Sequence, residues 1–255
     1  MERLQNIKVL VIGENCTDVF IYGSVNRLSP EAPIPIIKPI SKTSNKGMAE
    51  NVQLNLQALG VNTELVTNEE EIVKIRYVDS SYNYILLRID ENDKVNPIYL
   101  GDLINLDEYD FVVFADYNKG FLSKKDIELI SSKCNCPTFL DTKKKLGDWC
   151  KNISYIKINY SEYLRSKKQI DTKDWLKKKT IITRGPNGCD FGGKNYPTQE
   201  VGVKDVAGAG DTFLAGLIFK YICTYDIDTS IEFANKCSTQ VVQKKGVSII
   251  DKNNL

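Results

Sequence analysis

Asp205-Val206-Ala207-Gly208-Ala209-Gly210-Asp211-Thr212 runs directly into the apolar stretch FLAGLIFKYI at 213–222. Two glycines either side of one alanine let successive backbone N–H groups converge at a helix start. The positive end of the macrodipole adds its field there, so the junction is expected to hold an anion. Asp211 lies in the same first turn. A carboxylate beside an anion hole can take the proton of an alcohol while the amides hold charge on a transferring phosphoryl group. By itself the string also reads as a Gly-rich turn with an acid at a helix start.

Outward from this stretch, short β-branched runs recur at 7–13, 110–115, 137–141, 155–158 and 180–184. Continuous apolar runs of this length mark strands buried on both faces. Between them, apolar residues repeat at helical spacing over 49–59, which stops at Gly60, and over 124–132 and 211–225. The alternation predicts an α/β fold, a mostly parallel sheet with helices on both faces, and sets 205–212 on a strand-to-helix junction. Two regions break the rhythm. The prolines of SPEAPIPIIKPI, at 29–40, suit an edge strand or an excursion from the core. In 72–93, Val73, Ile75 and Tyr77 alternate with polar residues, DSSYN makes a turn, and a second alternating run follows, the pattern of an antiparallel hairpin. These segments, about 19–43 and 72–93, are expected to form a small β-lid on one domain spanning 1–255. Between Val66 and Ile75 the chain passes almost directly from a strand into that hairpin.

Composition sets the outer limits. The chain has 255 residues, 42% hydrophobic and 26% charged, close to a globular average, with ample length for a core. Lys+Arg 34 against Asp+Glu 33 leaves no broad basic face for nucleic acid. Histidine is absent, which excludes Ser-His-Asp and Cys-His catalysts and His-ligated zinc. Seven cysteines without CxxC spacing read as reduced thiols. The Cys134-Asn135-Cys136 string reads as a surface loop rather than a metal or redox site. No signal-type run and no stretch of about 20 apolar residues appears, so a cytoplasmic protein without membrane partner is expected.

The whole DVAGAGDT string resembles the second signature of the PfkB/ribokinase family of sugar kinases, which implies a ribokinase-like fold and ATP-dependent phosphorylation. On that resemblance Asp211 is the catalytic base and Gly208, Ala209 and Gly210 form the anion hole; Ala207 stands where the family commonly carries Thr. The stretch Thr183-Arg184-Gly185-Pro186-Asn187-Gly188 resembles the family's TxGxxG loop, which implies Thr183, Gly185 and Gly188 at the nucleotide. Asn159-Tyr160-Ser161-Glu162 resembles its NxxE motif, which implies that Asn159 and Glu162 face a magnesium-bound phosphate, Glu162 as a metal contact through water. Unaided, the first string reads as a turn and the second as a helix cap. Asn235 is carried over as a further nucleotide contact, and the implied cofactors are ATP, Mg²⁺ and a monovalent cation.

The N-terminal third narrows the likeness. VIGEN at 11–15, Asp18, Tyr22-Gly23, Arg27 and SPEAPIP at 29–35 are similar to the heptose 7-phosphate kinases of that family, which form one half of a bifunctional enzyme of ADP-heptose synthesis. DYNKG at 116–120 and DTKK at 141–144 echo their DYxKG and DPKG strings. The resemblance implies phosphorylation of D-glycero-β-D-manno-heptose 7-phosphate at the anomeric hydroxyl. It assigns the acceptor to Glu14, Asp18, Gly47, Asn51, Arg88, Asp116, Lys119 and Lys143, and it implies a homodimer paired through the lid. With the chain ending at Leu255, only the kinase step is expected. Lys144 and Lys145 read as solvated charges. Glu14 departs from the family's Asp, Met48 from its Gly and Glu50 from a small residue. An acceptor of another size, or a non-catalytic binding protein descended from such a kinase, are the alternatives.

Overall fold

Val9 and Val11 pack on one side of strand β1 (Lys8–Gly13), and Leu10 and Ile12 on the other, because side chains alternate along a strand. The computed structural model describes residues 6–102 and 105–255. β1 runs parallel to β4 (Asn62–Val66) on one flank and to β7 (Phe111–Asp116) on the other. Further parallel neighbours are β8 (Thr138–Thr142), β9 (Tyr155–Asn159) and β10 (Thr180–Thr183). Two antiparallel strands, β11 (Cys189–Phe191) and β12 (Lys194–Tyr196), finish the eight-stranded sheet, whose other edge is β4. The sheet therefore ends at β4, the strand that precedes the lid hairpin.

Both faces are covered. On one, α1 (Met48–Ala58), α5 (Ala209–Thr224) and α6 (Ile227–Val241) bury Val52, Leu56, Leu214, Leu217 and Ile231 against Val9, Val11, Phe111 and Phe139. On the other, α2 (Lys124–Lys133), α3 (Tyr160–Thr172) and the short α4 (Asp174–Lys177) bring Ile127, Ile130, Ile170 and Leu176 onto Leu10, Ile12, Phe114 and Ile156. Ser123 and Asp126 close α2 with a reciprocal capping box, and Asn159 and Glu162 do the same for α3. Among the described residues no helix is long and apolar enough to cross a membrane.

A second, four-stranded sheet stands over the carboxyl ends of the parallel strands. Its order is β3-β2-β5-β6, from β2 (Asn15–Leu28), β3 (Pro35–Gly47), β5 (Val73–Asp79) and β6 (Tyr84–Glu91). β3, with Pro35 and Pro39, lies at the edge, where a missing N–H is tolerated. Within the hairpin the faces are inverted from the usual order: Lys74 and Arg76 are buried, whereas Ile85, Leu87 and Ile89 are exposed.

Several features escaped the reading of the sequence. β11 and β12 are three residues each, too short for periodicity; the available signal was Gly192-Gly193, both at positive φ. Helices α3 and α6 were not picked out. The expected strand-to-helix junction at 205–212 is corrected: residues 197–208 are irregular, β12 having ended at Tyr196, and α5 starts from that loop.

Gly13 fixes the spacing of β1 and β7, since a Cβ there would sit 2.0 Å from the Ala115 carbonyl oxygen. Gly13→Ala is expected to lower stability by at least about 3 kcal/mol in urea denaturation, the upper range for overpacking. An unchanged midpoint would show that the strands can part without loss.

Candidate active site

The carboxyl ends of β1, β7, β8 and β9, the start of α5 and the inward face of the lid meet around Asp211, the usual place for a ligand in an open α/β sheet. Gly208 caps α5 in the left-handed region, φ 78°, and offers no side-chain cap. Its carbonyl accepts from the Thr212 amide at 2.9 Å, and the Ala209 amide turns back to Val206 O at 3.2 Å. The first-turn amides of Gly210 and Asp211 thus have no preceding helical carbonyl to meet. Asp205 shapes the approach by accepting from the amides of Ala207 and Gly246.

Asp211 is 4% exposed and held at both oxygens. Asn51 Nδ2 donates to Oδ2 at 3.0 Å, and the Tyr117 hydroxyl donates to Oδ1. Asn51 is itself oriented by Asn55, whose amide donates to both its carbonyl and its Oδ1. Burial pushes the Asp211 carboxyl above its ordinary range, while the Tyr117 and Asn51 donors pull it back.

Two cavities share Asp211, Gly208, Tyr117 and Lys143 as a common wall. The smaller, about 330 Å³, is also lined by Asp18, Met48, Lys74, Arg76, Arg88, Lys119 and Ala207. Arg76 pairs with Asp18 at 2.5 Å, Arg88 grips Asp90 through two donors, Lys119 pairs with Asp93, and Lys143 meets Glu162 at 2.7 Å. Burial opposes the charge of Lys143, yet Asp141, Glu162 and Asp211 hold its ammonium above the ordinary value. Lys74 differs. It is 7% exposed, and among the described residues no carboxylate lies within 4.0 Å of it. Neither Lys74 nor Arg76 was identified from the sequence; the signal was the polar half of the β5 alternation, which faces the cavity instead of solvent.

Met48, where the family's glycine would stand, takes the positive φ that a glycine adopts freely, 56°, with its side chain buried beside Cys16 and Ile72. Gly47 abuts the Asp18 carboxylate. Glu14 and Asp116 are not on the cavity wall. Glu14 is fully buried and accepts the amides of Tyr117 at 2.7 Å and Lys119 at 2.8 Å. Asp116 accepts from the Thr142 hydroxyl and pairs with Lys144. Lys144 is therefore corrected from a solvated charge to a largely buried partner; Lys145 is exposed.

The larger cavity, about 1060 Å³, runs along Asn159, Thr183, Gly185, Gly188, Ala209, Gly210 and Asn235, with Val201, Val203, Val206 and Phe213 as an apolar wall. Asn235 also ties α6 to Tyr196 O at 3.0 Å. Glu162 is absent from this wall, its carboxylate engaged by the Asn159 amide, the Asn159 side chain and Lys143. The sequence reading also missed Lys157 and Asp141 here, a buried pair at 2.6 Å with the Lys157 ammonium packed against Gly210. A lysine inside the apolar run YIKI, 155–158, was the signal.

The pfkB family carbohydrate kinase model matches residues 46–253. The bifunctional protein HldE of Campylobacter curvus is 28% identical over 95% of the chain, which spans only 63% of that protein's length. A D-beta-D-heptose 7-phosphate kinase of Bordetella bronchiseptica is 26% identical over 98% of the chain and 95% of its own length. The solved ribokinase of Arabidopsis thaliana, complexed with ribose and ATP, superposes with a TM-score of 0.69 at 15% identity, covering 96% of each chain, which shows the ribokinase-like fold.

A Cβ on Gly208 would lie 2.8 Å from Asn51 Nδ2, in a backbone conformation that L side chains rarely adopt. Gly208→Ala is expected to destabilise the chain by roughly 2 kcal/mol and to raise the Asp211 carboxyl pKa. Carboxyl ¹³C NMR across pH reads the second effect, and an unmoved titration would break the link between Gly208 and Asn51.

Proposed function

The chain belongs to the pfkB family of carbohydrate kinases, and on that premise we propose that it transfers a phosphoryl group from ATP to D-glycero-β-D-manno-heptose 7-phosphate at the anomeric hydroxyl. The observation that carries the acceptor class is the small cavity beside Asp211, with five basic side chains, of which Lys74 has no carboxylate within 4.0 Å among the described residues. A nearly buried cation without a carboxylate is stabilised by an anionic ligand, and a sugar phosphate supplies one. The relatives' names support the heptose.

Asp211 takes the proton of the acceptor hydroxyl as the phosphoryl group arrives. The first-turn amides of α5 and the cations of Lys143 and Lys157 face the charge that develops on the phosphoryl oxygens. The larger cavity would hold ATP, its valine-lined wall suited to an apolar ring and the first-turn amides at Gly210 to phosphate. Mg²⁺ when bound neutralises phosphate charge, keeping several waters and needing one or two carboxylates. Asp141 fits this need, since it lines the cavity and its Oδ1 is buried with no hydrogen-bond partner; Glu162 is the further carboxylate of the reading, reached through water. A monovalent cation completes the cofactors, and the seven free cysteines support a reducing, cytoplasmic setting.

An ADP-release screen over phosphorylated and unphosphorylated sugars, with NMR to locate the new phosphate, tests the reading. Turnover is expected with heptose 7-phosphate and not with the free heptose. Lys74→Met is expected to raise KM for the acceptor by about 10- to 100-fold, the size of a hydrogen bond to a charged group, with KM for ATP unchanged. Asp211→Asn is expected to abolish turnover while ATP still binds. Turnover by Asp211→Asn, or preference for the free sugar, would overturn it.

The exposed apolar face of the lid, with Ile85, Leu87 and Ile89, supports a homodimer that covers it. Light scattering at micromolar concentration is expected to give twice the 28.8 kDa chain mass, and a monomer would remove the proposal.

A further inference from the structure

Between β7 and Gly120 the chain makes a tight turn, with Asn118 at φ 58° and its amide donating to Asp116 Oδ1. The turn carries Tyr117, which is pinned on three sides. Its backbone amide is held by the Glu14 carboxylate, which also holds the Lys119 amide. Its ring faces two cations, Lys74 at 5.4 Å and Lys143 at 5.1 Å from the centroid. Its hydroxyl donates to Asp211 Oδ1.

We infer that Tyr117 is a positioning residue for the Asp211 carboxylate, and that Glu14 sets Tyr117 by gripping the turn that bears it; the inference rests on the reading of Asp211 as the base. Asn51 alone, donating to Oδ2, would leave the carboxylate freer to turn about its Cβ–Cγ bond. The second donor, on the opposite oxygen, fixes the plane of the group at the point where the two cavities meet. Glu14 explains its own departure from the family's Asp: the extra methylene, roughly 1.5 Å, carries the carboxylate past the cavity wall to the amides at 117 and 119.

Tyr117 acts as a donor throughout, because burial and the neighbouring Asp211 charge push its phenol far above the ordinary value. The other groups facing Asp211 are Cys16 from β2, neutral because burial pushes its thiol up to about 12, Asp141 from β8, Lys143 just beyond that strand and Lys157 from β9. Asp141 raises the Asp211 carboxyl and Lys157 lowers it. All of these persist when only the Tyr117 hydroxyl is removed, so a change in titration reports that hydroxyl. The sign follows from the chemistry. The base must be ionised, a lost donor raises its pKa, and activity therefore falls away at a higher pH as the solution is acidified.

The test is the pH profile of kcat/KM for the full chain and for Tyr117→Phe, Glu14→Asp and Asp211→Asn. Tyr117→Phe is expected to move the acid limb up by about one pH unit and to lower plateau kcat about tenfold, the scale of one hydrogen bond to a charged group, with KM for ATP unchanged. Glu14→Asp, which withdraws the carboxylate from both amides while leaving the hydroxyl in place, is expected to move the limb in the same direction. A Tyr117→Phe limb at the wild-type position overturns the inference, since a merely structural role lowers kcat equally at every pH. A wild-type limb in folded Glu14→Asp overturns the part assigned to Glu14; should circular dichroism show that variant unfolded, Glu14→Gln, which loses one of the two acceptors, decides that part by the same limb. Turnover by Asp211→Asn removes the base and this inference with it, whereas an inactive Asp211→Asn with an unmoved Tyr117→Phe limb removes this inference alone.

Discussion

The approach of β1 to β7 at Gly13 and Ala115 is the contact on which the site depends. Only a residue without a side chain lets the Ala115 carbonyl come so near, and that proximity sets Glu14 opposite the turn that leaves β7. From there the order of assembly is short: Glu14 holds the turn, the turn presents Tyr117, and the Tyr117 hydroxyl meets Asp211 at the carboxyl end of the sheet. The helix start supplies the rest, because Gly208 bends the chain so that Asp211 and the free first-turn amides face the same space.

Charge is handled by pairing. Asp18 with Arg76, Asp116 with Lys144 and Asp141 with Lys157 are nearly dry pairs, and each would be costly to break because the survivor would stay buried and uncompensated. This is how a chain of net charge +1 builds a strongly basic pocket: five basic side chains line it, and of their carboxylate partners Asp18, Asp90, Asp93 and Glu162 only Asp18 shares the wall. Without histidine, no side chain with an ordinary pKa near neutrality takes part in the pocket.

The parallel core was legible because its strands, such as 111–116, are buried on both faces and read as unbroken apolar runs. The hairpin was legible from its alternation, and the loop at 205–212 from its glycines. What could not be read was direction. Alternation tells which residues share a face but not which face meets water, and in β5 the polar set, Lys74 and Arg76, turns inward while the apolar set of β6 turns out. Glu14 shows a second limit: its residue type fits a sugar contact equally well, and only the register of β1 on β7 sends its carboxylate to backbone amides. Lys144 was misjudged for the same reason, since the burial of Asp116 that draws it in belongs to tertiary structure.

β1 ends at Gly13 and β2 begins at Asn15, so one residue joins the large sheet to the lid. In mechanical terms the joint has no slack. A longer linker would absorb a rotation of the four-stranded sheet in its own torsions; at this joint the torsions belong to Glu14, whose carbonyl also accepts the Ala49 amide at the second crossing, beside Met48. Any displacement of the lid at this joint therefore acts on the residue whose side chain holds the Tyr117 turn.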